Sequence, residues 1–286
     1  MSIKQFSTQI IVLIVIGWVI CGCSSNEYNP FIWEEHPFES HQLIGHRGDC
    51  SNAPENTLPS FEYAVNILGL KWIECDPILT KDSIIVLNHG KTIDDHSNST
   101  GKIEEMTYDE LSKIDFGHPQ RFGDRFAGTK ICTADEVIQF AKKHNVIVEF
   151  DFSHFDATPR KVKLLYDTVE RYNYLDHTVF DPYHTEDFEM VSELTTDVAV
   201  CCFTLDTNLV IPSELYKFKN VFIDLNLRKI GESRAIPERI HELGFKAITE
   251  LINPAPDNPV EKLRFLLESG FDYIYTEGIS RSVIEE

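Results

Sequence analysis

The chain has 286 residues, of which 42% are hydrophobic and 25% charged, an ordinary composition for a globular protein with a sizeable core. Its 46 acidic residues outnumber its 26 basic residues, which gives a formal net charge of −20. This balance argues against a nucleic-acid partner, because binding to a phosphate backbone requires a basic surface. It suits a soluble protein or one that binds cations.

An apolar segment, residues 10–20, follows Lys4 near the start of the chain. Its 11 residues are too few to cross a bilayer as a helix, which takes about 20, but they fit the hydrophobic part of a secretion signal. The next residues, Ile20-Cys21-Gly22-Cys23, resemble the bacterial lipobox. In that motif the last residue, here Cys23, is lipidated and becomes the mature N-terminus.

We therefore predict a lipoprotein signal peptide over residues 1–22, a tether over 23–40 and one domain over 41–286. Such a chain belongs to the bacterial cell envelope, where a lipid anchors it to the membrane and it faces the periplasm or the cell surface. An ordinary signal peptide cut nearby and a short uncleaved anchor are the alternatives.

From residue 42 onward, short apolar runs alternate with longer amphipathic stretches about eight times. This alternation predicts a parallel sheet with helices outside it, and the length fits a (β/α)8 TIM barrel. A doubly wound open sheet is the competing topology. The strand candidates are QLIGH, KWIECDPIL, SIIVLNH, VIVEFDF, HTVFD, DVAVCCFTL, NVFIDLNL, FKAITELI and DYIYTE.

Local signals refine this prediction. Thr133 and Glu136 have the spacing of a helix capping box. The SIIVLNH run is either an extra strand or a continuation of the second unit. Residues 91–125 are polar and indicate an irregular loop over the barrel mouth. Cysteines in strand-like runs, namely Cys75, Cys201 and Cys202, are interpreted as small buried hydrophobic residues.

Polar residues end several of the apolar runs, always at the same end. In a TIM barrel, such residues at the carboxyl ends of strands point into the mouth, where active sites form. Packing alone does not explain this arrangement, so these residues are the candidates for chemistry. They are His46 and Arg47, Glu74 and Asp76, His89, and Glu149 and Asp151.

The carboxylates indicate a metal site. Side chains alternate along a strand, so Glu74 and Asp76 face one side together, and so do Glu149 and Asp151. Carboxylates that converge in a pocket repel one another unless a cation compensates them. Oxygen ligands favour a hard ion, so we predict Mg²⁺ or Ca²⁺. For any single carboxylate, a salt bridge or a helix cap is the simpler explanation.

The basic side chains indicate proton transfer and anion binding. His46 and His89 lie at the ends of neighbouring runs and form a candidate acid–base pair. Arg47 offers a planar fork that suits a phosphate or a carboxylate. Its alternative role is an ion pair with Glu74 or Glu55.

At this point the sequence resembles the glycerophosphodiester phosphodiesterase family. The resemblance is carried by GHRGDCSNAPENT, IECD, TKDSIIVLNHG and VIVEFD, and it continues through CTADEVIQFAKKHNV and, more loosely, LLESGFDYIYTE. The family pattern reads H-R-G, P-E-N-T, E-x-D, T-x-D with an H-D pair, and E-x-K. The resemblance spans residues 42–277, and its first half is the more specific.

The resemblance implies a TIM barrel that hydrolyses a small-molecule phosphodiester with a divalent cation. His46 and His89 fall on the family's general acid and base, and Arg47 on its phosphate contact. Its metal ligands fall on Glu74, Asp76 and Glu149. The implied products are an alcohol and a phosphomonoester such as glycerol 3-phosphate.

The chain departs from the family pattern at three places. Gly90 replaces the aspartate of H-D, Asp151 replaces the lysine of E-x-K, and ITELIN replaces a W-T-V-N motif, leaving Thr249 and Glu250. Asp151 puts a negative charge where the family contacts phosphate, and we predict it to be a substrate-binding residue. The change implies a different metal arrangement, a substrate with a cationic part, or lost activity. The alternative function is therefore a catalytically degraded surface lipoprotein that binds a phosphorylated ligand.

Overall fold

The computed structural model describes residues 42–204, 208–225, 235–251 and 258–285. The predicted signal peptide, the tether and Cys23 lie outside these residues. Within the described part of the chain, every helix is too short or too polar to cross a membrane.

Eight parallel strands close into a barrel, which confirms the (β/α)8 prediction over the open sheet. Each pairs with its neighbours in the order β1-β10-β9-β8-β7-β6-β5-β2 and back to β1. The runs are apolar along their length because both faces of the strands are buried. The barrel strands are β1 (Gln42–Gly45), β2 (Trp72–Cys75), β5 (Ile147–Asp151), β6 (Thr178–Asp181), β7 (Ala199–Thr204), β8 (Val221–Leu225), β9 (Lys246–Leu251) and β10 (Tyr273–Thr276).

Helices connect the barrel strands on the outside. The capping box predicted at Thr133 and Glu136 is present at the start of α4, and both of its hydrogen bonds form. The longer helices are α4 (Ala134–His144), α5 (Pro159–Arg171), α6 (Thr185–Leu194), α7 (Ala235–Glu242) and α8 (Pro259–Glu268). The shorter ones are α1 (Leu58–Glu62), continued by a π-helical turn (Tyr63–Ile67), α2 (Tyr108–Leu111), α3 (Pro119–Phe122) and α9 (Ser282–Glu285).

The SIIVLNH run is an extra strand outside the barrel. Its central part, β4 (Ile85–Leu87), pairs antiparallel with β3 (Pro77–Leu79). The stretch over residues 91–125 is more ordered than we predicted, because it packs with this hairpin around an apolar cluster of its own. That cluster contains Ile78, Val86, Ile93, Ile103, Leu111, Phe116 and Ile131.

On β5, side-chain alternation places polar residues above apolar ones on the face that lines the barrel interior. On β5, Ile147 lies in the cluster that fills the barrel interior, and Glu149 and Asp151 follow it at two-residue steps. Cys75, Cys201 and Cys202 are buried and form no disulfide bond with any described residue, as expected for small core residues. The sequence therefore places its carboxylates at one end of a filled barrel.

Candidate active site

Three carboxylates converge at the mouth of the barrel. Oxygen atoms of Glu74, Asp76 and Asp151 all lie within 4.8 Å of one another. Glu74 lies on β2, Asp76 directly follows it, and Asp151 ends β5, which pairs with β2. We call Glu74, Asp76 and Asp151 the acidic trio. Its spacing fits oxygen ligands around one divalent cation with metal–oxygen bonds of about 2.0–2.6 Å.

The predicted ligand Glu149 stands in register with Glu74 on the neighbouring strand, but its oxygens are not part of the converging group that the trio forms. Glu149 is fully buried one step below Asp151, where Trp72 Nε1 donates to its Oε2 at 2.8 Å and the Tyr275 hydroxyl donates to its Oε1 at 2.7 Å. Burial raises the pKa of Glu149 to about 8. Its closest grouping of donor atoms is with Asp181 and Cys201. Both of its oxygens thus already have donors within the barrel.

Repulsion among the carboxylates of the acidic trio helps to raise the pKa values of Asp151 and Glu74. Burial and the charge of Asp76 raise the pKa of Asp151 to about 6. Burial, Asp76 and Asp151 likewise raise the pKa of Glu74 well above its usual range. A cation held by these oxygens would remove the repulsion, so the residues fit a divalent ion.

Arg47 lies beside the trio and is held by it. Its backbone N–H donates to Glu74 Oε2 at 2.8 Å, and its Nη1 donates to Glu55 Oε1 at 2.9 Å. Its Nε lies 3.5 Å from Asp76 Oδ2. Burial opposes the charge of Arg47, but these carboxylates outweigh burial and hold its pKa above its usual value. The alternative role considered for Arg47, an ion pair with Glu55, is therefore present in the structure.

The glycine of the His-Arg-Gly triplet permits a sharp turn after β1. Gly48 has φ +81°, and a Cβ atom there would lie 2.3 Å from Ser60 Oγ. Arg47 also adopts a left-handed conformation, with φ 53°. Together they turn the chain so that the backbone N–H of Arg47 points at Glu74.

Asn56 positions Asp76, a role that sequence analysis did not predict. Its Nδ2 donates to Asp76 Oδ2 at 2.7 Å, and its Oδ1 accepts from the backbone N–H of Asp76 at 3.0 Å. Its left-handed φ of 58° is a conformation that asparagine tolerates. The motif P-E-N-T carried this signal, since it contains both Glu55 and Asn56.

The two predicted histidines have different partners. His46 Nδ1 lies 2.8 Å from Glu277 Oε1, just after β10. Burial would raise the pKa of Glu277, but the hydrogen bond and charge of His46 outweigh it, so the pKa lies below its usual value. His89 Nε2 lies 3.3 Å from His154 Nε2, and burial is the main cause that lowers the pKa of His89 to about 4. Neither Glu277 nor His154 was predicted.

Gly90, where the family pattern has aspartate, stands in open space. A Cβ atom at Gly90 would meet nothing within 4 Å, and its φ is +95°. Its carbonyl accepts from Asn88 Nδ2 at 2.7 Å. The turn after His89 is thus closed by the Asn88 side chain.

A cavity of about 240 Å³ opens beside the acidic trio, and acidic side chains dominate its lining. Sequence analysis did not predict Asp181 and Asp224. The signal was available, since both continue the two-residue alternation at the upper ends of β6 and β8. The residues that line the cavity are His46, Glu74, Asp151, Asp181, Tyr183, Phe203, Asp224, Glu250 and Tyr275.

Comparison with known proteins agrees with this architecture. The profile of the glycerophosphoryl diester phosphodiesterase family matches residues 46–212. A glycerophosphodiester phosphodiesterase of Caldanaerobacter subterraneus subsp. tengcongensis is 26% identical over 241 residues, which cover 82% of this chain and 93% of that protein.

Solved structures resemble the fold. An Oleispira antarctica phosphodiesterase, in complex with the product sn-glycerol-3-phosphate, has a TM-score of 0.72 at 19% identity and covers 86% of this chain and 97% of its own. A glycerophosphoryl diester phosphodiesterase from Parabacteroides distasonis has a TM-score of 0.69 at 22% identity, covering 86% of this chain and 85% of its own. At these identities the likeness concerns the barrel.

Proposed function

Since the chain belongs to the glycerophosphoryl diester phosphodiesterase family of phosphoric diester hydrolases, we propose that it hydrolyses a glycerophosphodiester. Water adds to phosphorus, the bond to the alcohol breaks, and a phosphomonoester such as glycerol 3-phosphate remains. The observation that carries the proposal is that His46 lines the same cavity as Glu74 and Asp151, two members of the acidic trio.

The acidic trio is the site we propose for a divalent cation, Mg²⁺ or Ca²⁺. A bound cation would supply positive charge that favours binding of the phosphoryl oxygens and loss of a proton from the attacking water. The three carboxylates provide only oxygen donors, and Asn56 holds Asp76 in place. Asp151 replaces Glu149 in this set, since Glu149 is committed to Trp72 and Tyr275.

The histidines transfer the protons. The Glu277 carboxylate orients the ring of His46, which lines the cavity. His89 is placed next to His154, and the two rings meet edge to face. One of His46 and His89 takes the proton from the attacking water, and the other returns one to the leaving alkoxide. Arg47, fixed by Glu55 and Asp76, contributes a positive charge for the phosphate.

A product assay tests the proposal. The purified chain is incubated with a panel of glycerophosphodiesters in Mg²⁺, in Ca²⁺ or after dialysis against a chelator, and the released glycerol 3-phosphate is measured. We expect turnover that disappears in the chelator and returns with one of the cations. Full activity after dialysis against the chelator would refute the requirement for a divalent cation. Binding of a phosphodiester without turnover under all conditions would favour the degraded, ligand-binding alternative.

We also propose that the protein is a lipoprotein of the bacterial cell envelope, with Cys23 as the lipidated residue. The support is the apolar run over residues 10–20 followed by the lipobox-like Ile20-Cys21-Gly22-Cys23. Expression in a bacterium with labelled fatty acid should label the full chain and send it to the membrane fraction. Cys23→Ser should abolish the label, whereas Cys50→Ser, at a buried cysteine of the barrel, should retain it. Equal labelling of both variants would exclude Cys23.

A further inference from the structure

A second group of donor atoms converges where β1 and β10 end. One donor atom from each of His46, Cys50 and Glu277 lies within 4.8 Å of the other two. We call these three residues the thiol site. Among the donor groups in the described part of the chain, it is the one that combines a histidine, a cysteine and a carboxylate, whereas the acidic trio offers oxygen atoms only.

Strand pairing places His46 beside Glu277. The strands β1 and β10 are parallel neighbours, and the last pair in their register is Gly45 with Thr276. The next residue on each strand therefore leaves the barrel at the same point. The backbone N–H of His46 donates to the Thr276 carbonyl at 3.2 Å, and His46 Nδ1 lies 2.8 Å from Glu277 Oε1. Two of the three donors are thus positioned by the barrel itself.

The loop after β1 brings Cys50 back to this point. Gly48 permits the sharp turn, and Asp49, which is 1% exposed, ties the loop to the other strand end. Its Oδ1 accepts from the backbone N–H of Gly278 at 2.8 Å. Cys50 is 4% exposed, and its thiol lies beside the Glu277 carboxylate. The thiol site is therefore built from buried contacts and does not depend on a flexible surface side chain.

The donor set suits an ion that prefers sulfur and nitrogen. Thiolate and imidazole ligands select Zn²⁺ and similar transition-metal ions, whereas Mg²⁺ and Ca²⁺ prefer oxygen. Three protein ligands with a fourth position left for water is a common arrangement around Zn²⁺ at accessible sites. His46 lines the cavity, so an ion can reach the thiol site through the barrel mouth.

The charge around Cys50 also favours a cation. Burial and the charge of Glu277 raise the pKa of the Cys50 thiol well above its usual value. Such a thiol keeps its proton until a bound cation stabilises the thiolate. Binding then forms one sulfur–metal bond and releases the thiol proton to water.

A deeper group of donors is the weaker candidate for such an ion. It consists of Glu149, Asp181 and Cys201. Both Glu149 oxygens already accept hydrogen bonds, from Trp72 and Tyr275, and Cys201 is fully buried in the barrel. An ion there would have to displace two donors inside a filled core, whereas the thiol site borders the cavity.

We propose that the thiol site binds a thiophilic divalent ion of the Zn²⁺ class and that this ion inhibits the enzyme. Ion binding stands on the three donors alone, whereas inhibition rests on the proposed diesterase function. An ion bound to His46 occupies a ring nitrogen and takes the Glu277 carboxylate from it, so His46 can no longer pass a proton. The identity of the available metal would then control turnover.

Titration with Co²⁺ tests the site without any assay of activity. All proteins carry Cys21→Ser and Cys23→Ser, so that the remaining thiols are the buried ones of the barrel. The reduced, metal-free chain is titrated in excess Mg²⁺, which occupies the acidic trio, and the near-ultraviolet charge-transfer band of a cobalt–thiolate bond is recorded. We expect one equivalent of Co²⁺ to produce the band and Zn²⁺ to abolish it.

Cys50→Ser should lose this band. Its Zn²⁺ affinity, measured by competition with a chromophoric chelator, should fall at least about tenfold, because losing only a supporting partner of a ligand already costs about 10–100-fold. The matched control is Cys201→Ser, which removes the thiol of the deeper donor group and should retain both the band and the affinity. If Cys50→Ser does not fold, Glu277→Gln keeps the thiol and should show the same loss of Zn²⁺ affinity.

Inhibition is measured separately, with saturating Mg²⁺ and increasing Zn²⁺. Without Zn²⁺, Cys50→Ser should turn over as the wild-type chain does, and half-inhibition should need at least about tenfold more Zn²⁺. Equal Zn²⁺ sensitivity of the two proteins would overturn the inhibition. The absence of a thiolate band in the wild-type chain, or a band that survives Cys50→Ser, would overturn the thiol site. If no diester is hydrolysed, the proposed function fails, and the Co²⁺ titration still decides the thiol site.

Discussion

His46 and His89 have unlike surroundings, and each is expected to be indispensable. His46 is oriented by Glu277, and His89 is next to His154. A positioned acid or base contributes about a hundredfold or more to rate, so His46→Ala and His89→Ala should each reduce kcat by at least that factor. Melting temperatures should change little, and His241→Ala, which breaks a surface contact with Asp272, provides the control. Near-normal turnover in either variant would remove that histidine from the mechanism.

Asp151 is the residue at which this chain differs most from its family, and its position makes it a ligand candidate. Asp151→Ala removes one of three converging carboxylates, so the cation concentration for half-maximal activity should rise by about tenfold or more. Glu149→Gln should have the smaller effect, because the Glu149 oxygens already accept from Trp72 and Tyr275.

Asp151→Lys separates the ligand role from loss of function during evolution. If Asp151 holds the cation, a lysine places positive charge in the acidic trio, and cation binding should disappear. If the chain is a degraded enzyme, the family residue should instead raise turnover of simple glycerophosphodiesters. A gain of activity in Asp151→Lys would therefore contradict the ligand assignment.

At the scale of elements, the loop between β1 and α1 supports the site through Asn56. Asn56→Ala removes both hydrogen bonds to Asp76 and disfavours the left-handed backbone at φ 58°. Supporting contacts of this kind are worth about 10–100-fold in metal affinity, and we expect a loss in that range by titration calorimetry. Asn145→Ala is the matched control, since Asn145 has a similar φ of 52° at the end of α4 but no contact with the trio. Equal losses of metal affinity in both variants would mean that the strained backbone conformation, and not the contact with Asp76, causes the loss.

The strand pattern shows which features of the fold and the site could be predicted from the sequence. Period-two alternation and strand–helix repetition were enough to predict the barrel, and they put Glu74, Asp76 and Asp151 at one end of it. How deeply each carboxylate is buried below the mouth was not predictable, because it depends on hydrogen-bond donors from strands that are distant in sequence. Glu149 is captured by Tyr275 of β10, 126 residues away.

Contacts across long separations explain the other omissions. His46 contacts Glu277, which is 231 residues away in the sequence, and His89 contacts His154, which is 65 residues away. Neither partner shares a local motif with the histidine that it contacts. The insertion over residues 91–125 looked irregular because its apolar residues are sparse, and only together with β3 and β4 do they form a core.

At the scale of the whole molecule, concentrating carboxylates in one mouth makes stability depend on pH and on cations. Glu149 has a pKa of about 8 and Asp151 of about 6, against ordinary values of 4.5 and 3.8. Because these folded-state pKa values are raised, the metal-free native state binds more protons than the unfolded chain, and stability falls as pH rises through the folded pKa. His89 acts in the opposite direction, but most of its effect lies between its folded pKa of about 4 and its ordinary value of 6.5.

We therefore expect the metal-free protein to melt at least about 3 °C lower at pH 8 than at pH 6.5, measured by calorimetry in a chelator. Glu149→Gln cannot ionise and should reduce this difference, because it removes the group that titrates nearest to this window. Saturating Mg²⁺ or Ca²⁺ should raise the melting temperature more at pH 8 than at pH 6.5, since a cation binds the deprotonated carboxylates. A metal-free melting temperature that stays constant or rises between these pH values would contradict the repulsion on which the cation site is argued.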